Sequence, residues 1–466
     1  MSTTLPRPPK NRSVIQKADN EIRLNRLIAW ALIALVGLSA LPNGSTAPWA
    51  WSCTAATASF LLVAAIFVNS PRRVQFGPIA PTIVLTGVVV LWVAIQILAP
   101  PPTGFVETLW TRAAEELSAR LHPTISIDAA ASLDGLIRLL TYCAVFTITY
   151  CLARSHRIAA MLLQGIVAIA CLVVVFGTMF ESARPNFQSL NGISGFLPDR
   201  NIFATYAGLG LLASVALLAR PKLRANDLLG SRNSRLRAIL SFYIARAWPS
   251  LIATAIMLFG IARSESRAGL AAAGIGLIIL IVAIRKGSSP AQSSRMSLKI
   301  SSILAVAVLA LTISGTVNRL TLTGDAASER AEIYRSIYDG IQIAPLTGLG
   351  YGTFSQGFEL VRSDILPRSF EHGHNLFLEN AFELGVPAAT LLVCAILWLT
   401  VPMVRRLQCR PEDSALPALG LASIALTGIH SMLDATLRTP ALALLFAVIL
   451  GLAVGSSLTS RKPIRR

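Results

Sequence analysis

The stretch IAAMLLQGIVAIACLVVVFGTMF, residues 158–180, runs for 23 residues without a formal charge, between Arg154 and Arg157 on one side and Glu181 on the other. A helix on the surface of a soluble domain keeps a polar face, and this stretch has none. At 1.5 Å of rise per residue it reaches about 35 Å, enough to cross a hydrocarbon core about 30 Å thick. It is read as a membrane span.

Working outward, the same pattern recurs along the chain. Apolar blocks, most of them 17 to 23 residues long, alternate with short charged segments. Besides 158–180 they lie near 27–42, 48–69, 78–99, 134–153, 201–219, 247–263, 267–284, 299–317, 385–404, 414–433 and 439–458. Composition agrees: 54% of the 466 residues are apolar and only 14% charged, with a mean hydropathy of +0.62. So few charges cannot cover a soluble chain of this length. The expected fold is all-α, a polytopic transmembrane bundle of about twelve spans. Residues 1–26 form a polar leader too long for a signal peptide, so 27–42 is read as an uncleaved first span.

The net charge of +18 raises the question of nucleic acid, and its distribution answers it. Arg and Lys gather in alternate inter-span segments: Arg72 and Arg73, Arg154 and Arg157, Arg220 to Arg237, Arg285 to Lys299, Arg405 to Arg410, and both chain ends. The other segments are uncharged or of mixed sign. This is the positive-inside pattern, which puts both termini in the cytoplasm, and no nucleic-acid-binding signature accompanies it. Six scattered cysteines suit apolar filling better than a disulfide framework.

On the opposite side lies one segment of more than 60 residues, 318–384, and a shorter one, 100–133. A loop that long points to function. Within it, SERAEIYRSIYDGI reads as an amphipathic helix, with Ile333, Ile337 and Ile341 on one stripe and Arg330 and Tyr334 on another. ETLWTRAAEELSARL, 107–121, reads as an interfacial helix.

Four groups of residues invite a chemical reading. ARSESRAG, 262–269, carries Arg263 and Arg267 four apart, on one face of any continuous helix. They snorkel at helix ends, Arg263 with Glu265 as a local partner, or they grip an anion; a guanidinium fork suits a diphosphate. Arg330, Tyr334 and Arg335 precede Gly348, Gly350 and Gly352, whose spacing fits tight turns and no nucleotide loop. EHGHNLFLENAFELG, 371–385, brings His372 and His374 together, with Asn375 placed to cap a helix. A neutral imidazole there suits a general base for a sugar hydroxyl, a loop-bridging role is the structural alternative, and the ligand spacing of a metal site is missing. His430, Asp434 and Arg438 close the eleventh span, either as a functional group or as an Asp434–Arg438 pair sealing the helix end.

SESRAG (264–269), Arg330, PLTGLGYGTF (345–354) and HNLFLENAFELGVPA (374–388) follow one another in an order that resembles the O-antigen ligase and Wzy-type polymerase superfamily. The resemblance covers roughly 190–455, with FLPDRNIFATY (196–206) included. It implies a GT-C-like fold in a bacterial inner membrane, with a catalytic region 190–458 around the periplasmic loop 318–384; hydropathy and charge add a cytoplasmic leader 1–26, N-terminal helices 27–189 with a short periplasmic segment near 100–133, and a cytoplasmic tail 459–466. It implies a metal-independent glycosyltransferase without cofactors, which moves a glycan from undecaprenyl diphosphate to a sugar hydroxyl at the periplasmic face. The acceptor is a lipid A-core sugar for a ligase, or a second lipid-linked repeat unit for a polymerase of O-antigen or exopolysaccharide. Carried over by position, His374, Arg267 and Arg330 are the expected catalytic residues. Arg200, Arg263, Tyr334, Arg335, His372, Asn375, His430 and Asp434 are expected to contact substrate. The competing class is a secondary transporter or polysaccharide flippase, which would place charges near the midplane of broken helices.

Overall fold

A computed structural model describes residues 12–69, 76–182, 192–220, 237, 241, 247–286, 324–366, 369–410 and 414–459. The spanning helices among them are α1 (Arg12–Ala40), α2 (Pro48–Val68), α3 (Ala80–Leu98), α5 (Ala129–Leu152), α6 (His156–Ser182), α7 (Arg200–Ala219), α8 (Trp248–Ser264) and α9 (Arg267–Lys286), then α13 (Val386–Trp398) continued by α14 (Thr400–Cys409), α15 (Ala415–Ser431) and α16 (Pro440–Ser457). Shorter helices lie between them: α4 (Phe105–Glu116), α10 (Gly324–Ile343), α11 (Phe354–Val361) and α12 (Leu376–Leu384). Eleven of the twelve expected spans fall on these helices, and the one expected at 299–317 lies outside the described residues. Nine helical segments among the described residues are long and apolar enough to cross a membrane, while α8 and α15 are apolar but shorter. The chain is a multi-pass, all-α membrane protein.

Local sequence sets the helix starts. Pro48, Pro81, Pro249, Pro387 and Pro440 each sit in the first turn of a span, where their missing N–H leaves no bond unmade. Asp128 and Asp199 cap α5 and α7 through their carboxylates.

The core is built around α7 and α16, buried nearly end to end. Two glycines let α16 lie against α5: a Cβ on Gly451 would come 2.6 Å from the Phe146 carbonyl oxygen, and one on Gly455 would come 2.5 Å from that of Tyr150. Small residues at such a seam allow the close backbone approach that holds helices together in lipid.

The N-termini of α7, α9, α13 and α16 share one end of the bundle with the C-termini of α3, α6, α8 and α15. The α10–α12 segment packs there, as α12 against α13 and Gln96 of α3 against the carbonyls of Thr347 and Glu383 show. The other end holds Arg154, Arg157, Arg220, Arg285, Arg405 and Arg410, and there Thr459 after α16 reaches the carbonyl of Arg154 after α5.

The loop segment has its own small core. Ile333, Ile337 and Ile341 of α10 are buried as a stripe with Phe354, Phe358 and Phe382, while Arg330 on the other stripe is exposed. Val106 and Trp110 of α4 close this core from the 100–133 side. Gly348, Gly350 and Gly352 all adopt positive φ, and Gly348 lies so close to Glu383 that a Cβ would come 2.2 Å from its carbonyl oxygen.

Candidate active site

At the end shared by the α7 and α9 N-termini, Asp434 gathers partners from across the chain. Its Oδ1 lies 3.2 Å from His374 Nδ1, and its Oδ2 accepts from Asn201 Nδ2 at 2.6 Å. Asn201 in turn accepts from the Ser266 hydroxyl at 2.7 Å. One carboxylate thus ties the long loop, the start of α7 and the α8–α9 hairpin together. Burial alone would raise the Asp434 pKa, but His374, Asn201 and the Ala435 N–H outweigh it and hold it below the usual value.

His374 is held on three sides. Its φ of +51° lies in the left-handed region, unusual for a residue with a side chain. The Tyr334 hydroxyl donates to its carbonyl at 3.0 Å. Asn375 caps α12, accepting from the Phe377 and Leu378 N–H groups. Burial pushes the Tyr334 phenol up, with Arg330 one turn away opposing the shift. A strained backbone fixed this firmly is characteristic of sites whose geometry matters. An Nδ1–H donated to Asp434 leaves Nε2 as the acceptor of the ring, and the side chain is about one-third exposed.

A second, buried cluster braces the first. Arg438 Nε lies 2.9 Å from Glu379 and its Nη2 2.5 Å from Glu383, both carboxylates about 1% exposed. The Arg438 guanidinium also lies over the Tyr351 ring, 5.6 Å from its centroid. Glu379 accepts from the Gly373 N–H and meets His372 Nδ1 at 3.3 Å, and Glu383 accepts from the Phe354 N–H. Burial raises the Glu383 pKa, whereas Arg438 overcomes burial to lower that of Glu379. His372 is raised, because the Glu379 carboxylate outweighs the burial that opposes it. The cluster clamps α12 and the His372–His374 strand onto the turn before α16.

These contacts exclude one of the two alternatives that the sequence left open at the end of the eleventh span. Asp434 and Arg438 do not pair. The 3₁₀ turn Thr436–Arg438 separates them, sending Asp434 to His374 and Arg438 to the two glutamates. Arg263 and Arg267 lie on separate helices, as the separate spans 247–263 and 267–284 imply: Glu265 ends α8 in a left-handed conformation at φ 54°. Arg263 closes α8, and Arg267 opens α9 beside Ser266.

The remaining expected residues are distributed around this centre. Arg200 adjoins Asn201 at the start of α7. Arg330 is exposed on the Tyr334 side of α10, as is Arg335. His430 is fully buried, its Nδ1 2.6 Å from the Thr205 hydroxyl, one turn beyond Asn201. Sequence reading missed Asn201, Ser266, Glu379 and Glu383; a polar pair at two span ends and an i,i+4 pair of carboxylates in an otherwise apolar helix were the available signs. Asp199, which feels the charge of Asp434, was also missed. The site therefore presents a histidine with a free nitrogen beside the N-termini of α7 and α9, helix ends that favour anions.

Residues 252–393 match a family model described as O-antigen ligase, Wzy_C. No curated protein matches the chain.

Proposed function

From the match of residues 252–393 to the O-antigen ligase family model, we propose that the chain is a membrane glycosyltransferase acting on a lipid-linked glycan at the end of the bundle that holds His374. In this reading His374 is the general base. An acceptor sugar hydroxyl gives its proton to Nε2 as its oxygen bonds to the anomeric carbon of the donor. The bond from that carbon to the diphosphate breaks, and the electron pair leaves with the lipid diphosphate. Asp434 holds the imidazole in the required tautomer and balances the charge it gains.

Arg267 and Arg330 serve the leaving diphosphate, with Arg200 and Arg263 near the same helix ends. Arginine fork geometry suits phosphate oxygens, and donors fixed before the reaction stabilise charge as it develops. The activated donor supplies the driving force, so the site needs no nucleotide. The spanning helices give the polyprenyl chain an apolar surface. The positive-inside pattern supports a periplasmic setting for this end and cytoplasmic termini.

The observation that carries the reading is the His374–Asp434 contact, made beside two helix N-termini. The test is transfer by purified protein from an undecaprenyl-diphosphate oligosaccharide to candidate acceptors, with and without chelator. Transfer that persists with chelator and is lost in Arg267→Ala, Arg330→Ala and His374→Ala, all folded, supports the proposal. The acceptor used then separates ligase from polymerase. Transfer unaffected by these substitutions overturns it.

A further inference from the structure

At the end of the bundle away from His374, α14, the C-terminus of α16 and the turn before α3 line an open-sided cavity of about 250 Å³. Arg405, Arg406 and Arg410 line it, together with Pro78, Val401, Pro402 and Leu458. We propose that this cavity binds the phosphate headgroup of an anionic membrane lipid, a role separate from glycan transfer.

Three features argue for that ligand. The first is charge: among the described residues that line the cavity there are three arginines and no carboxylate. The nearest acidic residues in sequence, Glu412 and Asp413, lie outside the described residues. Guanidinium forks match phosphate oxygens. The second is position. The cavity sits at the mouth of spanning helices, 18 residues of α16 from the turn that carries Arg438, so about 27 Å away along the helix. Basic pockets between helices at such a depth take lipid headgroups. The third is the mixed wall. Val401, Pro402, Pro78 and Leu458 give an acyl chain or glycerol backbone an apolar surface, which a free anion would not need. Arg406 is fixed in place: it is buried and donates to the Thr459 carbonyl at 3.1 Å. Arg405 is exposed and Arg410 half-buried, so both can turn toward a ligand.

The test uses native mass spectrometry of the full chain in detergent, with phosphatidylglycerol or phosphatidylcholine added. Arg405→Gln/Arg410→Gln leaves Arg406 and its contact with Thr459 intact. Each arginine contributes about fivefold to binding of an anionic headgroup, so the double variant is expected to retain phosphatidylglycerol about 25-fold more weakly. Arg112→Gln/Arg120→Gln, at the other end, is expected to match wild type. Melting of each variant without lipid checks the fold; if the double variant unfolds, Arg405→Gln alone carries the test, with a fivefold loss expected. Equal retention by wild type and variant overturns the proposal, as does equal retention of the two lipids. Displacement of phosphatidylglycerol by inorganic phosphate as effectively as by the lipid itself would make this a free-anion site, and overturns it too.

Discussion

His374 and Asp434 stand 60 residues apart in sequence and meet with Nδ1 and Oδ1 at 3.2 Å. Each comes to the contact already held, His374 by Tyr334 and the α12 cap, Asp434 by Asn201 and the Ala435 N–H. The imidazole is thereby fixed in one orientation and one tautomer before any substrate arrives. If that is the role of Asp434, Asp434→Asn should leave the fold intact and slow transfer by about 100-fold or more. His374→Ala should cost about as much, and the double variant little more, because the two act as a unit. The measurement is transfer rate at saturating donor. Additive losses would mean that the two side chains act separately.

The Arg438 cluster gives a prediction on stability. Two carboxylates about 1% exposed share one guanidinium. Removing that cation leaves buried charge uncompensated, a loss of about 3–5 kcal/mol. Arg438→Met should therefore lower the melting temperature sharply. Adding Glu379→Gln and Glu383→Gln to it should restore much of the loss, since the neutral amides remove the unpaired charge and keep an oxygen for the Gly373 and Phe354 N–H groups. Melting curves of the single and triple variants decide; a triple variant no better than the single one would contradict the electrostatic account.

How much of this was legible beforehand depends on the range of the interaction. The spans were readable because each apolar block must by itself match a hydrocarbon thickness, a local property. The Ile333–Ile337–Ile341 stripe and the Asn375 cap were local too, and the structure has both. The site was legible only as a set of residues. His374, Asp434 and Tyr334 stood out, but nothing in the spacing could pair residues from α7, the α8–α9 hairpin and the long loop. The alternative of an Asp434–Arg438 pair sealing the helix end failed because the helix stops at Ser431 and a 3₁₀ turn carries Arg438 away. Asn201 and Ser266 passed unnoticed because a polar residue at a span end looks like an ordinary cap.

A pH window follows from the loop itself. His372 is raised above its ordinary 6.5 and Glu379 lowered below its ordinary 4.5. The raised histidine stabilises fully below about pH 6.5, and that contribution is lost as pH climbs through its folded value. The lowered glutamate stabilises above about pH 4.5, and its contribution is lost as pH falls through its folded value. Residues 369–380 should be best protected between these limits. Hydrogen exchange corrected for intrinsic rate should show protection falling on the alkaline side in wild type and flat in His372→Asn. A falling alkaline limb in that variant would assign the effect to another group.

The turn that seats α12 should tolerate no side chain. Gly348 has φ 65°, and its Cβ position is 2.2 Å from the Glu383 carbonyl oxygen. Gly348→Ala is expected to cost about 1–3 kcal/mol in backbone strain alone, and the clash adds to it. Gly87 in α3 has open space around its Cβ position, so Gly87→Ala should be neutral or stabilising by up to about 1 kcal/mol. Thermal melts in one detergent compare them directly; equal effects would mean that the turn is not built as described.

Asn201 offers a test of whether Asp434 must be ionised. Its amide donates to Asp434 at 2.6 Å while its oxygen accepts from Ser266 at 2.7 Å. Asn201→Ala removes the donor yet leaves Asp434 on His374, so transfer should fall by less than in Asp434→Asn. Asn201→Asp keeps an acceptor for Ser266 but replaces a donor with a second carboxylate. Like charge at that distance favours the neutral form of Asp434, whose pKa is otherwise held below its ordinary 3.8. The acid limb of the pH–rate profile should therefore move to higher pH in Asn201→Asp, and remain in place in Asn201→Ala apart from a small rise for the lost hydrogen bond. A limb that shifts equally in both variants would mean that the amide acts only by shaping the site, with the charge on Asp434 playing no part in transfer.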